Sequence, residues 1–160
     1  MSDYKDDREK LLVELTDAFG PSGFEEEIGK IVESHMGDYC EIVRDGLGST
    51  LGKKVGASES PKILIAGHMD EVGFLVSGIT KQGYLKINPL GGWWPHVLLS
   101  QRVVIRTREG KLVHGMIGSK APHSLKPEER KQVMKLEDLY VDIGASEDNE
   151  AADKMGIRIG

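Results

Sequence analysis

The spacing of hydrophobic positions changes period along the chain, and each change predicts a different element. Leu11, Leu12, Leu15 and Phe19 fall on one stripe of a helix that starts near Arg8. Gly20-Pro21 stops it in the usual way, a glycine followed by a residue that cannot continue the helix. Ser22-Gly23-Phe24-Glu25 has the form of a capping box and predicts a second helix, with Phe24, Ile28, Ile31, Val32 and His35 on its buried stripe. Glu25, Glu26 and Glu27 crowd its first turn, where the helix dipole favours acid; this reading is preferred to a cation site. His35 reads as a boundary residue. Alternation then takes over. Tyr39 to Arg44, the turn Asp45-Gly46 and Gly48 to Val55 read as a hairpin, followed by a polar loop from Gly56 to Pro61. The polar stretch Met1 to Asp7 is expected to fray.

The stretch Lys62 to Val76 organises the rest. Ile63-Leu64-Ile65-Ala66 has the length and β-branched content of a strand buried on both faces. It runs out into Gly67, His68, Met69, Asp70 and Glu71, polar groups placed where such a strand surfaces. Extended backbone there puts His68 and Asp70 on one face and turns Glu71 away. A neutral imidazole is a good zinc or cobalt ligand, and a carboxylate on its far nitrogen fixes the tautomer. The pair is half a metal site, because three or four ligands are needed. The competing reading is a capped strand end with a solvated carboxylate.

Beyond this stretch the texture becomes β-rich. Phe74 to Ile79, Tyr84 to Asn88, Gln101 to Arg108 and Lys111 to Ile117 are short strand candidates between glycine-containing turns, which predicts a small barrel or sandwich. Trp93 and Trp94, in Gly91-Gly92-Trp93-Trp94-Pro95-His96, form either a packing wedge or a contact surface; the contact surface is the favoured reading. Lys126 to Lys135 reads as an exposed charged helix or loop. His96, His114 and His123 stand without partners at ligand spacing and read as structural. Leu139 to Ile143 is a last β run, and Ser146 caps a helix through Ala151, Ala152 and Met155 that ends at Gly156. Helices followed by strands around a buried run give an α/β class.

Composition narrows the function classes. A chain of 160 residues, 39% hydrophobic and 29% charged, suits one domain or one and a fraction. Its net charge of −5 and the lack of a Lys/Arg stripe argue against nucleic acid as a partner. The single Cys40 excludes an internal disulfide and fits a reducing compartment. No apolar run approaches the roughly 20 residues of a membrane span, and the N-terminus is acidic rather than signal-like. The expected location is the cytoplasm.

Four motifs then occur in order: Gly20-Pro21-Ser22-Gly23-Phe24-Glu25-Glu26, Ala66-Gly67-His68-Met69-Asp70-Glu71-Val72-Gly73-Phe74, Gly118-Ser119-Lys120-Ala121-Pro122-His123 and Val141-Asp142-Ile143-Gly144-Ala145. Together they resemble the first part of the M42 family of metallo-aminopeptidases, from about Arg8 to the last residue. The resemblance implies a zinc-peptidase-like α/β/α sandwich, here partial, with a small β-barrel-like dimerisation domain inserted into it. Residues 1–72 would be the N-terminal part of the catalytic domain and 73–145 the insert. Residues 146–160 would be a helix leading back towards the catalytic domain. It further implies two divalent metal ions, zinc or cobalt, with His68 binding one and Asp70 orienting His68. Peptides would be the substrates, losing N-terminal residues, and the complete protein would form homo-oligomers from dimer to dodecamer.

The family's bridging Asp, general-base Glu and remaining metal ligands follow the insert, and nothing here replaces them. Asp70 and Glu71 diverge, and Asp142 lies in the last β run. One His ligand holds a metal poorly, and the catalytic sheet is left with an unpaired edge. The expectation is therefore the N-terminal portion of an aminopeptidase, inactive alone. The alternative is a non-enzymatic association module. A glucanase ranks last, since it needs two carboxylates about 5–9.5 Å apart across a bond and no clear pair exists.

Overall fold

One acidic side chain sets the first helix. In the computed structural model, which describes residues 6–160, Asp6 accepts from the amides of Arg8 and Glu9, both at 3.0 Å. That satisfies two of the free N–H groups at the start of α1, Asp7–Asp17. The start of the stretch expected to fray, residues 1–5, lies outside the described residues. The chain divides into two units, one ending at Val72 and one spanning Gly73–Gly160.

In the first unit α1 is followed by α2, Glu26–Met36, whose inward side is Ile28 and Gly29. The stripes predicted for both helices are only partly buried, with Leu12 62% and Phe24 44% exposed and His35 at the surface. The loop between the helices is tight against α2. A Cβ on Gly20 would sit 2.1 Å from Ile28 Cδ1, so only glycine fits there. His35 Nε2 meets Glu14 Oε2 at 3.0 Å and ties the two helices. The acids expected to serve the helix start do so locally: Glu26 pairs with Lys30 at 2.7 Å, one turn on.

The hairpin forms as predicted, with β1 (Glu41–Arg44) antiparallel to β2 (Thr50–Lys53). Asp45 makes its turn, its Oδ1 accepting from Leu47 N at 2.8 Å and Ser49 N at 2.9 Å. Arg44 grips Glu33 of α2 through two N–H donors, the Nη2 contact at 2.8 Å, and Thr50 adds a bond to the same carboxylate at 3.3 Å.

The stretch expected to be the central buried strand departs from that expectation. Residues 63–66 adopt no strand, and Ile63, Leu64 and Ile65 are 82%, 84% and 92% exposed. A strand of that composition is stable only when neighbours supply hydrogen bonds on both edges and cover on both faces. Among the described residues no strand pairs with it.

The second unit is one five-stranded antiparallel sheet, curled around its core. Its strands are β3 (Gly73–Ile79), β4 (Leu85–Leu90), β5 (Arg102–Arg106), β6 (Leu112–Ser119) and β7 (Leu139–Asp142), in the order β3-β4-β7-β6-β5. A bulge between Val76 and Gly78 bends β3. Leu85 and Ile87 on β4, Val113 and Ile117 on β6, and Leu139 and Val141 on β7 alternate inward and make the core with Leu98. Trp93 closes one side, stacked on Phe74 with centroids 4.9 Å apart. The charged segment after β6 is irregular, with short 3₁₀ turns at Glu129–Lys131 and Leu136–Asp138. Residues 146–160, expected as a helix, form only a five-residue π-helical turn, Glu150–Lys154, ended by Gly156 at φ 77°. They pack into this unit through Ala151 and Ile157, 0% and 1% exposed. Gly160 N finally donates to Val76 O at 3.1 Å.

Candidate metal centre

His68 and Asp70 sit in extended, irregular backbone just after the exposed apolar run, and they face one another. His68 Nδ1 lies 3.1 Å from Asp70 Oδ1 and 3.0 Å from the Asp70 carbonyl oxygen. Both neighbours are acceptors only, so Nδ1 carries a proton, and in the neutral ring Nε2 is the nitrogen with the free lone pair. The His68 side chain is 86% exposed, whereas that of Asp70 is 37% exposed. The imidazole is therefore presented to solvent with its tautomer already chosen, the state a metal-ligating histidine needs.

A second partner holds the carboxylate. Ser22 Oγ donates a short hydrogen bond to Asp70 Oδ2, so the two carboxylate oxygens are divided between serine and histidine. Hydrogen bonding from Ser22, and then from His68, keeps the Asp70 carboxyl below the ordinary aspartate range. Asp70 is thus a charged acceptor for the Nδ1 proton. Ser22 was expected to cap α2 and does not. The residue at that cap is Glu25, without a side-chain cap bond, and its Oε1 instead accepts from Gly23 N at 2.7 Å. The serine has been diverted to a carboxylate 48 positions away.

Glu71 clamps the same loop. Its N–H donates to Gly20 O at 2.9 Å, and its Oε1 accepts from Gly20 N at 3.1 Å. Pro21 and Glu71 form a parallel bridge. Neither the Ser22 contact nor the Glu71 clamp was read from the sequence. The only signal was that the Gly20-Pro21-Ser22-Gly23 loop and the histidine motif both carry polar groups without local partners.

The donor set tests whether the pair suits a metal. His68 offers one neutral nitrogen backed by a carboxylate, which fits one position of a zinc-type site. Among the described residues no group of three His, Cys, Asp or Glu comes together. The pair by itself supplies one nitrogen donor, fewer than the three or four a zinc-type site needs. Of the other histidines, His35 is with Glu14, and His96 lies beside the ring of Trp94 with centroids 4.8 Å apart.

Comparison with known proteins agrees with the motifs. Residues 48–160 match the family described as M42 glutamyl aminopeptidase. The chain is 35% identical over 155 residues to the lysyl aminopeptidase of Pyrococcus furiosus, covering 94% of this chain and 43% of that protein. It superposes with a TM-score of 0.91 and 50% identity on the TET aminopeptidase of a marine sediment archaeon, Thaumarchaeota archaeon SCGC AB-539-E09, over 97% of this chain and 43% of that one. The Pyrococcus horikoshii TET1 peptidase, which can assemble into a tetrahedron or a large octahedral shell, matches with a TM-score of 0.77 and 32% identity, over 94% and 44% of the two chains. The chain thus spans about two-fifths of the length of the relatives it matches. A matched family model, an ordered motif set and a superposition at half identity converge on one conclusion: this chain belongs to the M42 aminopeptidase family.

Proposed function

We propose that the chain is the N-terminal portion of a dinuclear metal-dependent aminopeptidase, which as a complete protein removes N-terminal residues from peptides in the cytoplasm. Residues 1–72 are read as the first part of its catalytic domain and 73–145 as an inserted dimerisation domain; the division of the structure at Val72 is in keeping with this. The observation that carries the proposal is the His68–Asp70 pair, with Nδ1 committed to the carboxylate and Nε2 open. In this reading His68 is a metal ligand, and Asp70 orients it and raises its basicity. Zinc or cobalt is the proposed ion. When bound, such ions polarise a peptide carbonyl and lower the pKa of water. The residues of this chain contribute the ligand, its tautomer and its aim.

The test is release of N-terminal residues from short peptides by the full-length polypeptide, with and without chelator, in zinc and in cobalt. Activity abolished by the chelator, restored by metal and lost in His68→Ala is the expected result. Activity indifferent to chelation would overturn the proposal. The 160-residue chain alone is expected to be inactive, since one nitrogen ligand cannot hold the ion tightly.

A second reading has its own observation. Ile63, Leu64 and Ile65 are almost fully exposed, and Trp94 is 65% exposed on the other unit. Contiguous apolar surface of this kind drives association. As an isolated product the chain would act as an association module, and homo-oligomers are likewise proposed for the complete protein. Sedimentation giving a monomer at all concentrations would remove this second reading.

A further inference from the structure

The loop between the two helices makes contacts that its own folding does not require. Ser22 lies three residues before Glu25, the cap position of α2, and that helix starts without a side-chain cap bond. The Ser22 hydroxyl takes the one carboxylate oxygen of Asp70 that His68 does not use. A carboxylate is free to rotate about its Cβ–Cγ bond, so one hydrogen bond to an exposed imidazole leaves its orientation loosely set. A second donor on the opposite oxygen fixes the plane. Ser22 is itself held in place. Glu71 binds both the N–H and the C=O of Gly20 and bridges Pro21, so the loop cannot move independently of the segment carrying His68 and Asp70. Gly20 in turn is pressed against Ile28. The chain of contacts runs from a buried helix residue to an exposed imidazole nitrogen.

We infer that Ser22 is a positioning residue of the metal centre, orienting the Asp70 carboxylate so that it keeps the proton of His68 on Nδ1 and leaves Nε2 as the ligand atom, with Glu71 fixing the loop that presents it. The inference rests on the metal-centre reading above for its purpose but not for its geometry. It concerns a hydrogen-bond relay, Ser22 Oγ–H to Asp70 to His68 Nδ1–H, that exists before any ion binds. Substituting a partner in the outer layer of a metal site costs about 10–100-fold in metal affinity. Ser22 acts one step further out, so its loss belongs at or below the low end of that range.

The test separates relay from metal. Long-range proton–nitrogen correlation spectra of the 160-residue chain, free of metal, report the tautomer of His68 directly. The unmodified chain is expected to show the Nδ1–H form and a Ser22 hydroxyl proton protected from exchange. Ser22→Ala is expected to weaken the Nδ1–H preference, leaving the Asp70 carbonyl oxygen at 3.0 Å as the remaining fixed acceptor, and Ser22→Thr, which keeps the hydroxyl, to restore it. In the full-length protein, Ser22→Ala is expected to weaken zinc binding by about five- to ten-fold, with Ser22→Thr close to wild type. An unchanged Nδ1–H tautomer in a folded Ser22→Ala chain overturns the inference. A freely exchanging Ser22 hydroxyl in the unmodified chain overturns it too, even if the alanine variant does not fold. If the tautomer responds while the full-length protein binds no zinc, the relay stands and the metal reading falls. If zinc binds and the tautomer does not respond, the reverse holds.

Discussion

The two units solve the burial problem differently, and the contrast explains where the chemistry is placed. Of the thirteen buried hydrophobic residues among those described, only Ala18 and Ile28 belong to the unit ending at Val72; the other eleven lie in the β unit and form one cluster. The β unit closes its core with antiparallel strands, each finding its partner in the same unit. The first unit exposes its most apolar segment, Ile63 to Ile65. Yet the polar groups that continue this segment, His68, Asp70 and Glu71, are already tied to the interhelix loop. One unit gathers its apolar side chains into a single core. The other is incomplete in its packing and already ordered in its polar contacts. A pair of side chains can be oriented by local contacts; a strand buried on both faces needs neighbours on both edges.

The sharpest way to break this contrast is to remove matched apolar side chains from each unit. Leu85 is 0% exposed at the centre of the β unit, so Leu85→Ala is expected to cost about 2–5 kcal/mol from lost transfer energy and the residual cavity. Ile65→Ala removes a side chain that is 92% exposed and is expected to stay within about 0.5 kcal/mol. Denaturant unfolding of both variants gives the comparison. A large loss from Ile65→Ala would mean that the run is covered in solution.

The paired tryptophans offer a smaller contrast within the β unit. Trp93 stacks on Phe74 and donates its Nε1–H to Gly73 O at 2.9 Å, whereas Trp94 is 65% exposed against His96. Trp93→Ala is expected to destabilise the unit by about 3 kcal/mol. Trp94→Ala should fall within about 0.5 kcal/mol in the isolated chain, showing instead as reduced self-association if that surface is used. Equal effects of the two on unfolding would erase the distinction between wedge and contact surface, where the sequence reading favoured a contact surface for the pair as a whole.

How legible each region was follows from the same contrast. The strands of the β unit were readable because β3 with β4 and β5 with β6 pair as neighbours in sequence, with glycine-containing turns marking their boundaries. Gly83, at φ 81° with Ala145 O 2.7 Å from where a Cβ would be, is one such turn that only glycine can make. The His68–Asp70 pairing was readable because it needs only a two-residue period. The strand at Ile63–Ala66 was readable as a pattern but not as a structure, since period and composition say nothing of whether neighbours are present. Ser22 was misassigned to a helix cap because a local signature, Ser-x-x-Glu, competed with a contact 48 residues away that no local pattern encodes. The terminal segment was read as a helix from its cap and spacing, whereas burial of Ala151 and Ile157 in the sheet's core left room for one π-helical turn.

The smallest predicted effect asks whether the first unit is held by polar contacts to the degree its meagre core suggests. Glu33 joins α2 to the hairpin through both oxygens, bound by Arg44 and Thr50. The Arg44 guanidinium holds the Glu33 carboxyl below its ordinary value of 4.5. A carboxyl depressed in the folded state binds fewer protons than in the unfolded one, so its contribution is present above the unfolded pKa and is lost as pH falls through the folded value. Hydrogen exchange of the β1–β2 amides should therefore quicken as pH drops below about 4.5, after correction for intrinsic rates, while the β4 and β7 amides hold. In Glu33→Gln the hairpin should exchange faster at neutral pH, and that part of the pH dependence should disappear. Because Arg44 is half exposed and Glu33 partly so, added salt should narrow the difference between variant and wild type. If hairpin protection were the same at pH 7 and pH 3 in both proteins, apolar contact would hold this unit together after all, and the division of labour between the two units would have to be redrawn.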